Sequence, residues 1–211
     1  MKKFITIIPR QVGGALEKVV YDAVDNQRLA YPKPTSFPIV PVLHGYAKPG
    51  ETVEVIMLRE QDLEASIVNY QALQMELETL QEELQITIVQ KPLEISFDDS
   101  FQSQLIAFQM LIDEIDDNDT LFCCMTFGGK PIPVMLTMAL RYARLARRNT
   151  AIRCVVYGQT RFRRTEDGKA EIESARIYDE TPLLQVDDIL RILAQSGVKD
   201  IRSSITSILN M

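Results

Sequence analysis

The chain has 211 residues, of which 46% are hydrophobic, and a formal net charge of −6. That size and apolar content predict one globular domain with a well-filled core, and the excess of acids argues against a surface that coats double-stranded nucleic acid. No apolar run approaches the ~20 residues that span a bilayer, and Met1-Lys2-Lys3 leads only into a short apolar stretch broken at Pro9, so no membrane anchor and no signal peptide are expected.

Phe4 to Ile8 is rich in β-branched residues and reads as a first strand. It runs into Pro9-Arg10-Gln11-Val12-Gly13-Gly14, a glycine-bearing loop at a strand's carboxyl end, where Arg10 suits a phosphate and Gln11 a base edge or ribose. The same residues also suit an ordinary surface turn. Residues 15–31 carry Leu16, Val19, Val20, Ala23 and Val24 at helical spacing, and the prolines of Tyr31-Pro32-Lys33-Pro34 mark a loop. Phe37 to Val42 and Thr52 to Leu58 read as strands, separated by a loop in which Pro49-Gly50 signals a turn. The single histidine, His44, lies there without a Cys or carboxylate cluster, which makes it a poor metal ligand, and no metal site is expected.

Asp62 to Gln85 is an amphipathic helix with a stripe of Leu63, Ile67, Tyr70, Leu73, Leu77, Leu80 and Leu84. A coiled coil fits that stripe, but a strand at Ile86 to Val89 follows directly, which favours a helix laid on a sheet. Asp98 to Ile115 is a further helix, with Phe101, Leu105, Phe108, Leu111, Ile112 and Ile115 inward. The acidic run from Asp113 to Asp119 lacks the spacing and glycine of a calcium loop and reads as a solvated helix end.

The stretch Asp119 to Tyr157 has the most regular order. Leu121 to Met125 is a continuous apolar run, as in a strand buried on both faces. Thr126-Phe127-Gly128-Gly129-Lys130-Pro131 follows, then a helix with Val134, Met135, Met138, Ala139, Tyr142, Leu145 and Ala146 as its apolar stripe, then a second apolar strand, Ala151 to Tyr157. This is a βαβ unit with a parallel pair. In open α/β sheets ligands bind beyond the carboxyl ends of strands. Two glycines allow close backbone approach and positive φ, Pro131 suits a first helical turn, and the helix N-terminus, the Lys130 charge and the Thr126 hydroxyl all favour an anion. The spacing is neither G-x-x-x-x-G-K-[ST] nor G-x-G-x-x-G, and a tight turn with a solvated lysine accounts for the same residues.

Cys123, Cys124 and Cys154 all fall in predicted strands without C-x-x-C spacing, the pattern of reduced thiols and a cytoplasmic protein. Arg141, Arg144, Arg147 and Arg148 read as a solvated or subunit-contacting helix face. Gly158-Gln159-Thr160 is expected to end its strand on the ligand side. Arg161 to Thr165 and Glu171 to Tyr178 flank a hairpin turn. Helices are expected at 182–194 and 200–209. The elements define an α/β, Rossmann-like fold, a mainly parallel sheet flanked by helices with a β-hairpin addition, spanning 1–211 as a single domain with residues 199–211 as a short helical extension.

Strand, Thr126-x-Gly128-x-Lys130-Pro131-x-Pro133, a helix carrying Arg141-Tyr142-Ala143 and a strand closing on Tyr157-Gly158 together resemble the CRISPR-associated Rossmann-fold domain, CARF. Ser174-Ala175-Arg176-Ile177-Tyr178-Asp179-Glu180-Thr181-Pro182-Leu183-Leu184 is similar to the segment that leads into that family's late helix. Many relatives carry Thr-His-Gly where this chain has Thr126-Phe127-Gly128. The resemblance implies a homodimer that binds a cyclic oligoadenylate, the second messenger of type III CRISPR complexes, across its two-fold axis, with no cofactor. It places Pro9, Arg10, Gln11, Thr126, Phe127, Gly128, Gly129, Lys130, Pro131, Gly158 and Gln159 around the ligand. A ring of four or six nucleotides shares the dimer's two-fold symmetry and a ring of three does not; four is expected. No effector domain is recognisable in the chain, so the protein is either a sensor that signals to an effector partner or a metal-independent ring nuclease using Lys130 and Thr126. A Rossmann-like domain for another nucleotide is the third reading, with NAD disfavoured by the missing acidic residue after a G-x-G-x-x-G.

Overall fold

The computed structural model describes residues 1–10, 16–60, 63–96, 98, 100–165 and 167–209. Two compact units divide the chain, Met1–Asp179 and Glu180–Met211. The first holds one seven-stranded sheet in the order β2-β7-β6-β5-β1-β3-β4. Its strands are β1 (Lys2–Ile7), β2 (Asp22–Ala23), β3 (Thr52–Arg59), β4 (Thr87–Glu94), β5 (Thr120–Cys124), β6 (Ala151–Arg164) and β7 (Ala170–Asp179). Its helices are α1 (Ile39–Tyr46), α2 (Glu64–Leu84), α3 (Phe101–Asp113) and α4 (Pro131–Ala146). All neighbouring pairs are parallel except β6–β7, the expected hairpin. The α/β Rossmann-like class is therefore observed. In the second unit, α5 (Thr181–Gln195) and α6 (Ile201–Leu209) pack on each other.

The topology selects one position. After β1 the chain places the short β2 at the far edge beside β7, then lays β3 and β4 on one side of β1 and β5 and β6 on the other, so the winding of the main strands reverses between β1 and β5. The loops after these two strands, at residue 8 onward and residue 125 onward, flank the switch point where α/β sheets bind ligands.

Each face of the sheet has its own core. On one, Phe4, Phe122, Cys124, Cys154 and Val156 pack with α1 and with Leu73, Leu77 and Leu80 of α2. The rings of Phe4 and Phe122 stack 4.4 Å apart and 9° from parallel. On the other, α3 buries Ala107, Leu111 and Ile112, and α4 buries Ile132, Met135, Leu136, Ala139, Leu140 and Ala143.

Several expectations are corrected. Phe37 to Val42 is not a strand: the chain enters α1 at Ile39, and the continuous apolar run reflects a helix buried nearly all round. Residues 16–31 form no α-helix. Val19 bridges Thr35, Asp22–Ala23 adds to β7, and Gln27–Leu29 makes a single 3-10 turn. The buried face of α4 is rotated from the expected stripe, leaving Val134, Met138 and Leu145 exposed, and in α3 Phe101 is 77% exposed. In α2, Ser66 and Asn69 are buried where Ile67 was expected inward. The acidic run is not simply solvated. Asp119 is 2% exposed, and its Oδ2 lies 3.0 Å from Nζ of Lys3, itself 4% exposed.

Candidate functional site

At the carboxyl end of β5 the chain is tied to its neighbour. Met125 N–H donates to Val156 carbonyl oxygen at 2.9 Å, and Gly158 N–H donates to Thr126 Oγ1 at 2.8 Å. Thr126 Oγ1 also lies 3.2 Å from Cys124 Sγ. The Thr126 hydroxyl thus stitches β5 to β6. Burial pushes the Cys124 thiol up, against the opposing hydrogen bonds from Thr126, so the sulfur stays protonated and unreactive.

Beyond Thr126 the turn reverses. Phe127 folds back onto the α1 side, its ring 6.4 Å from that of Phe37 at 75°. Gly128 adopts φ +99°, a conformation that side-chained residues rarely take; of the two adjacent glycines, only this one needs it. Lys130, exposed, occupies the N-cap position of α4.

The helix N-terminus offers fewer donors than its dipole implies. Pro131 and Pro133 have no N–H, and the Ile132 N–H is already bonded to the Gly129 carbonyl at 3.0 Å. The donors lie one step earlier. Among the described residues, the backbone N–H groups of Phe127, Gly128, Gly129 and Lys130 make no hydrogen bond, and the Lys130 ammonium has no partner. Successive unpaired N–H groups in a turn form a concavity for anions.

The loop after β1 contributes differently. Pro9 is buried, and its carbonyl accepts from Asn69 Nδ2 at 2.9 Å. Arg10 Nε pairs with Glu60 Oε2 at 2.7 Å, so this arginine arrives at the switch point already carrying a carboxylate. Gln11 lies outside the described residues. Asn69, Ser66 and Glu60 were not singled out from the sequence. Ser66 Oγ accepts from the Glu60 N–H at 3.2 Å, so α2 holds the ends of both β1 and β3. The available signal was a polar residue at helical spacing from Leu73 and Leu77.

Gly158 and Gln159 do not end a strand, because β6 continues to Arg164 on β7 alone. Gly158 is a packing glycine: a Cβ there would sit 2.3 Å from Pro38 Cγ. Gln159 Oε1 accepts from Arg161 Nε at 3.1 Å. Pro131, at the first turn of α4, also lines an apolar groove of about 310 Å³ with Phe101, Leu105, Val134 and Met138.

His44 lies on α1 with its ring 5.0 Å from Tyr31. Among the described residues no three His, Cys, Asp or Glu side chains gather as a metal site, and no helix is long and apolar enough to cross a membrane. Neither a protein-family model nor a curated protein matches the chain.

Proposed function

We propose that the protein is a CARF-type receptor for a cyclic oligoadenylate, binding the four-membered ring across a homodimer and passing the signal to an effector partner. The observation that carries this reading is the Phe127–Lys130 turn: four backbone N–H groups and an ammonium that have no partner among the described residues, at the switch point between β1 and β5. That arrangement suits a phosphate. The motif Thr126-x-Gly128-x-Lys130-Pro131 in its strand–helix setting narrows the phosphate to this ligand class by resemblance.

Two-fold pairing is supported by the groove beside Pro131. Phe101 is 77%, Val134 62% and Met138 51% exposed, a cluster of apolar surface of the kind that marks a protein contact. Ring cleavage is the second reading, favoured by the same donors. In that reaction the ribose 2′-hydroxyl, losing its proton to water, attacks the adjacent phosphate in line; the bond to the 5′-oxygen breaks, that oxygen takes up a proton from water, and a 2′,3′-cyclic phosphate remains, while Lys130 and the turn N–H groups stabilise the charge that develops on the phosphate. The Thr126 hydroxyl is engaged with Gly158 and Cys124, which leaves Lys130 as the main contributor.

Thermal-shift measurements with rings of three, four and six adenylates, ATP and NAD test the reading by mass action. A rise with the four-membered ring, and little with ATP or NAD, is expected. A rise with NAD alone rejects it. Product analysis of the ring after incubation separates sensor from nuclease.

A further inference from the structure

β6 outruns its neighbour. β5 ends at Cys124, opposite Val156, whereas β6 runs on to Arg164 paired only with β7. Beyond Val156 the two strands form a ribbon whose faces differ. Ala175 and Ile177 are buried in the same core as Val156, and Gly158 abuts Pro38. Side chains alternate along a strand, so Tyr157, Gln159 and Arg161 stand on the opposite face, in register with Tyr178, Arg176 and Ser174.

This second face is aromatic and cationic. Tyr157 is 39% exposed, and Arg161 and Arg176 are exposed. Among the described residues neither arginine has a carboxylate partner; the nearby ion pair joins Arg163 to Glu171, farther out on the ribbon. In a chain of net charge −6, two guanidiniums outside any ion pair among the described residues, beside a cross-strand tyrosine pair, form a local basic patch. The patch adjoins the anion turn, because Tyr157 and Gln159 flank Gly158, whose N–H is bonded to Thr126.

Flat rings together with guanidiniums match a base joined to a phosphate; the exposed Asp22 of β2 stands in register with Arg176 at the edge of this face without an ion pair to it among the described residues. We infer that Tyr157, Tyr178, Arg161 and Arg176 form the base-and-phosphate platform of the oligoadenylate site: an adenine stacks on Tyr157 against Tyr178, Arg176 and Arg161 hold the phosphate that follows it, and the Lys130 turn takes the next. This rests on the oligoadenylate reading. In a two-fold dimer the platform occurs twice, one for each half of the ring.

Affinities of wild type, Lys130→Ala, Tyr157→Ala, Tyr157→Phe and Arg176→Ala for the four-membered ring test the platform. A linear tetra-adenylate and a single-stranded adenylate 20-mer serve as further probes. Base stacking and charge-assisted bonds predict about tenfold losses for Tyr157→Ala and Arg176→Ala, near-wild-type binding for Tyr157→Phe, and for Arg176→Ala a salt slope lower by roughly 0.7. A tetra-adenylate carrying 2-aminopurine should be quenched by wild type and Tyr157→Phe but not by Tyr157→Ala. All these residues are partly or fully exposed, so the variants should melt close to wild type. Threefold or greater losses in both alanine variants support the platform. Smaller losses in either, while Lys130→Ala still weakens binding, overturn the platform and leave the oligoadenylate reading standing. Wild type that binds no ring overturns both, and binding of the 20-mer without any ring makes the surface an RNA groove instead.

Discussion

The backbone N–H of Gly158 donates to Thr126 Oγ1 over 2.8 Å, and the same glycine leaves only enough room for the Pro38 ring. One residue thus sets the distance of β6 from α1 and fixes where the β5–α4 turn begins. Thr126→Val keeps the shape but removes the acceptor, and leaving the Gly158 N–H unpaired should cost about 1–2 kcal/mol. Thr126→Ser should cost much less. Gly158→Ala places a methyl 2.3 Å from Pro38 Cγ and should destabilise by about 1–3 kcal/mol through overpacking. Urea denaturation of the three variants measures these losses; equal stability of Thr126→Val and Thr126→Ser would show that the hydrogen bond contributes nothing.

Lys130→Ala should leave the fold intact, since the side chain is exposed and unpartnered among the described residues. It should weaken binding of the four-membered ring by about 1.5–3 kcal/mol, the usual worth of a charge-assisted hydrogen bond. Lys130→Arg should restore part of this, because a planar fork replaces a compact ammonium. If the ring is cleaved, Lys130→Ala should slow cleavage more than it weakens binding, as charge grows on the phosphate in the transition state. Arg144→Ala, roughly 20 Å farther along the α4 axis, is the control and should bind as wild type by calorimetry.

Phe127 holds the turn by packing on Phe37. Phe127→Ala should therefore lower stability by about 2 kcal/mol, less than the loss at a fully buried phenylalanine, and should weaken ring binding by loosening the turn. Phe127→His should also lower stability, because an imidazole in this partly buried contact loses water without gaining a partner. Thermal melts paired with calorimetry separate the two effects; a Phe127→His variant more stable than wild type contradicts the anchoring role.

Lys3 and Asp119 make stability depend on pH. Burial pushes the Asp119 carboxyl up, but the backbone N–H of Asp116 and the Lys3 ammonium outweigh it, and its pKa falls below the ordinary value. Burial pulls the Lys3 ammonium down, but Asp116 and Asp119 outweigh it, and its pKa rises. A lowered carboxylate gives stability that is present above its unfolded pKa of about 4 and lost as pH falls through the folded value. A raised ammonium gives stability present below about 10.4 and lost as pH rises through the folded value. Melting temperature should therefore fall at both extremes. Asp119→Asn should flatten the acid limb, and Lys3→Met, which leaves the buried Asp119 carboxylate with the Met1 ammonium still 2.9 Å away, should cost about 2 kcal/mol at neutral pH. An unchanged acid limb in Asp119→Asn rules out this source of pH dependence.

The parallel βαβ unit was legible in the sequence because its signals are local: an apolar run, a glycine turn with Pro131 behind it, and a helix of the right length. The hairpin was legible for the same reason. Residues 16–31 were not, since Val19 and Ala23 owe their conformation to Thr35 and Ile177, partners that leave no mark at helical spacing. The Phe37 to Val42 run misled because burial on all sides gives a short helix the look of a strand. Within the site, Lys130 and Gly128 could be read from their neighbours. The commitment of Arg10 to Glu60 could not, because it depends on where β3 delivers a distant acid. Nor could the continuation of β6 past Gly158, which exposes Arg176 beside the turn, since strand length there is set by β7.

Titration calorimetry with the four-membered ring, combined with light scattering of the same sample, decides whether this turn receives a cyclic oligoadenylate. A homodimer that binds one ring per two chains and releases heat is expected, with Lys130→Ala much weaker and Arg144→Ala unchanged. No heat with rings of three, four or six adenylates, or loss of binding in Arg144→Ala while Lys130→Ala retains it, contradicts it.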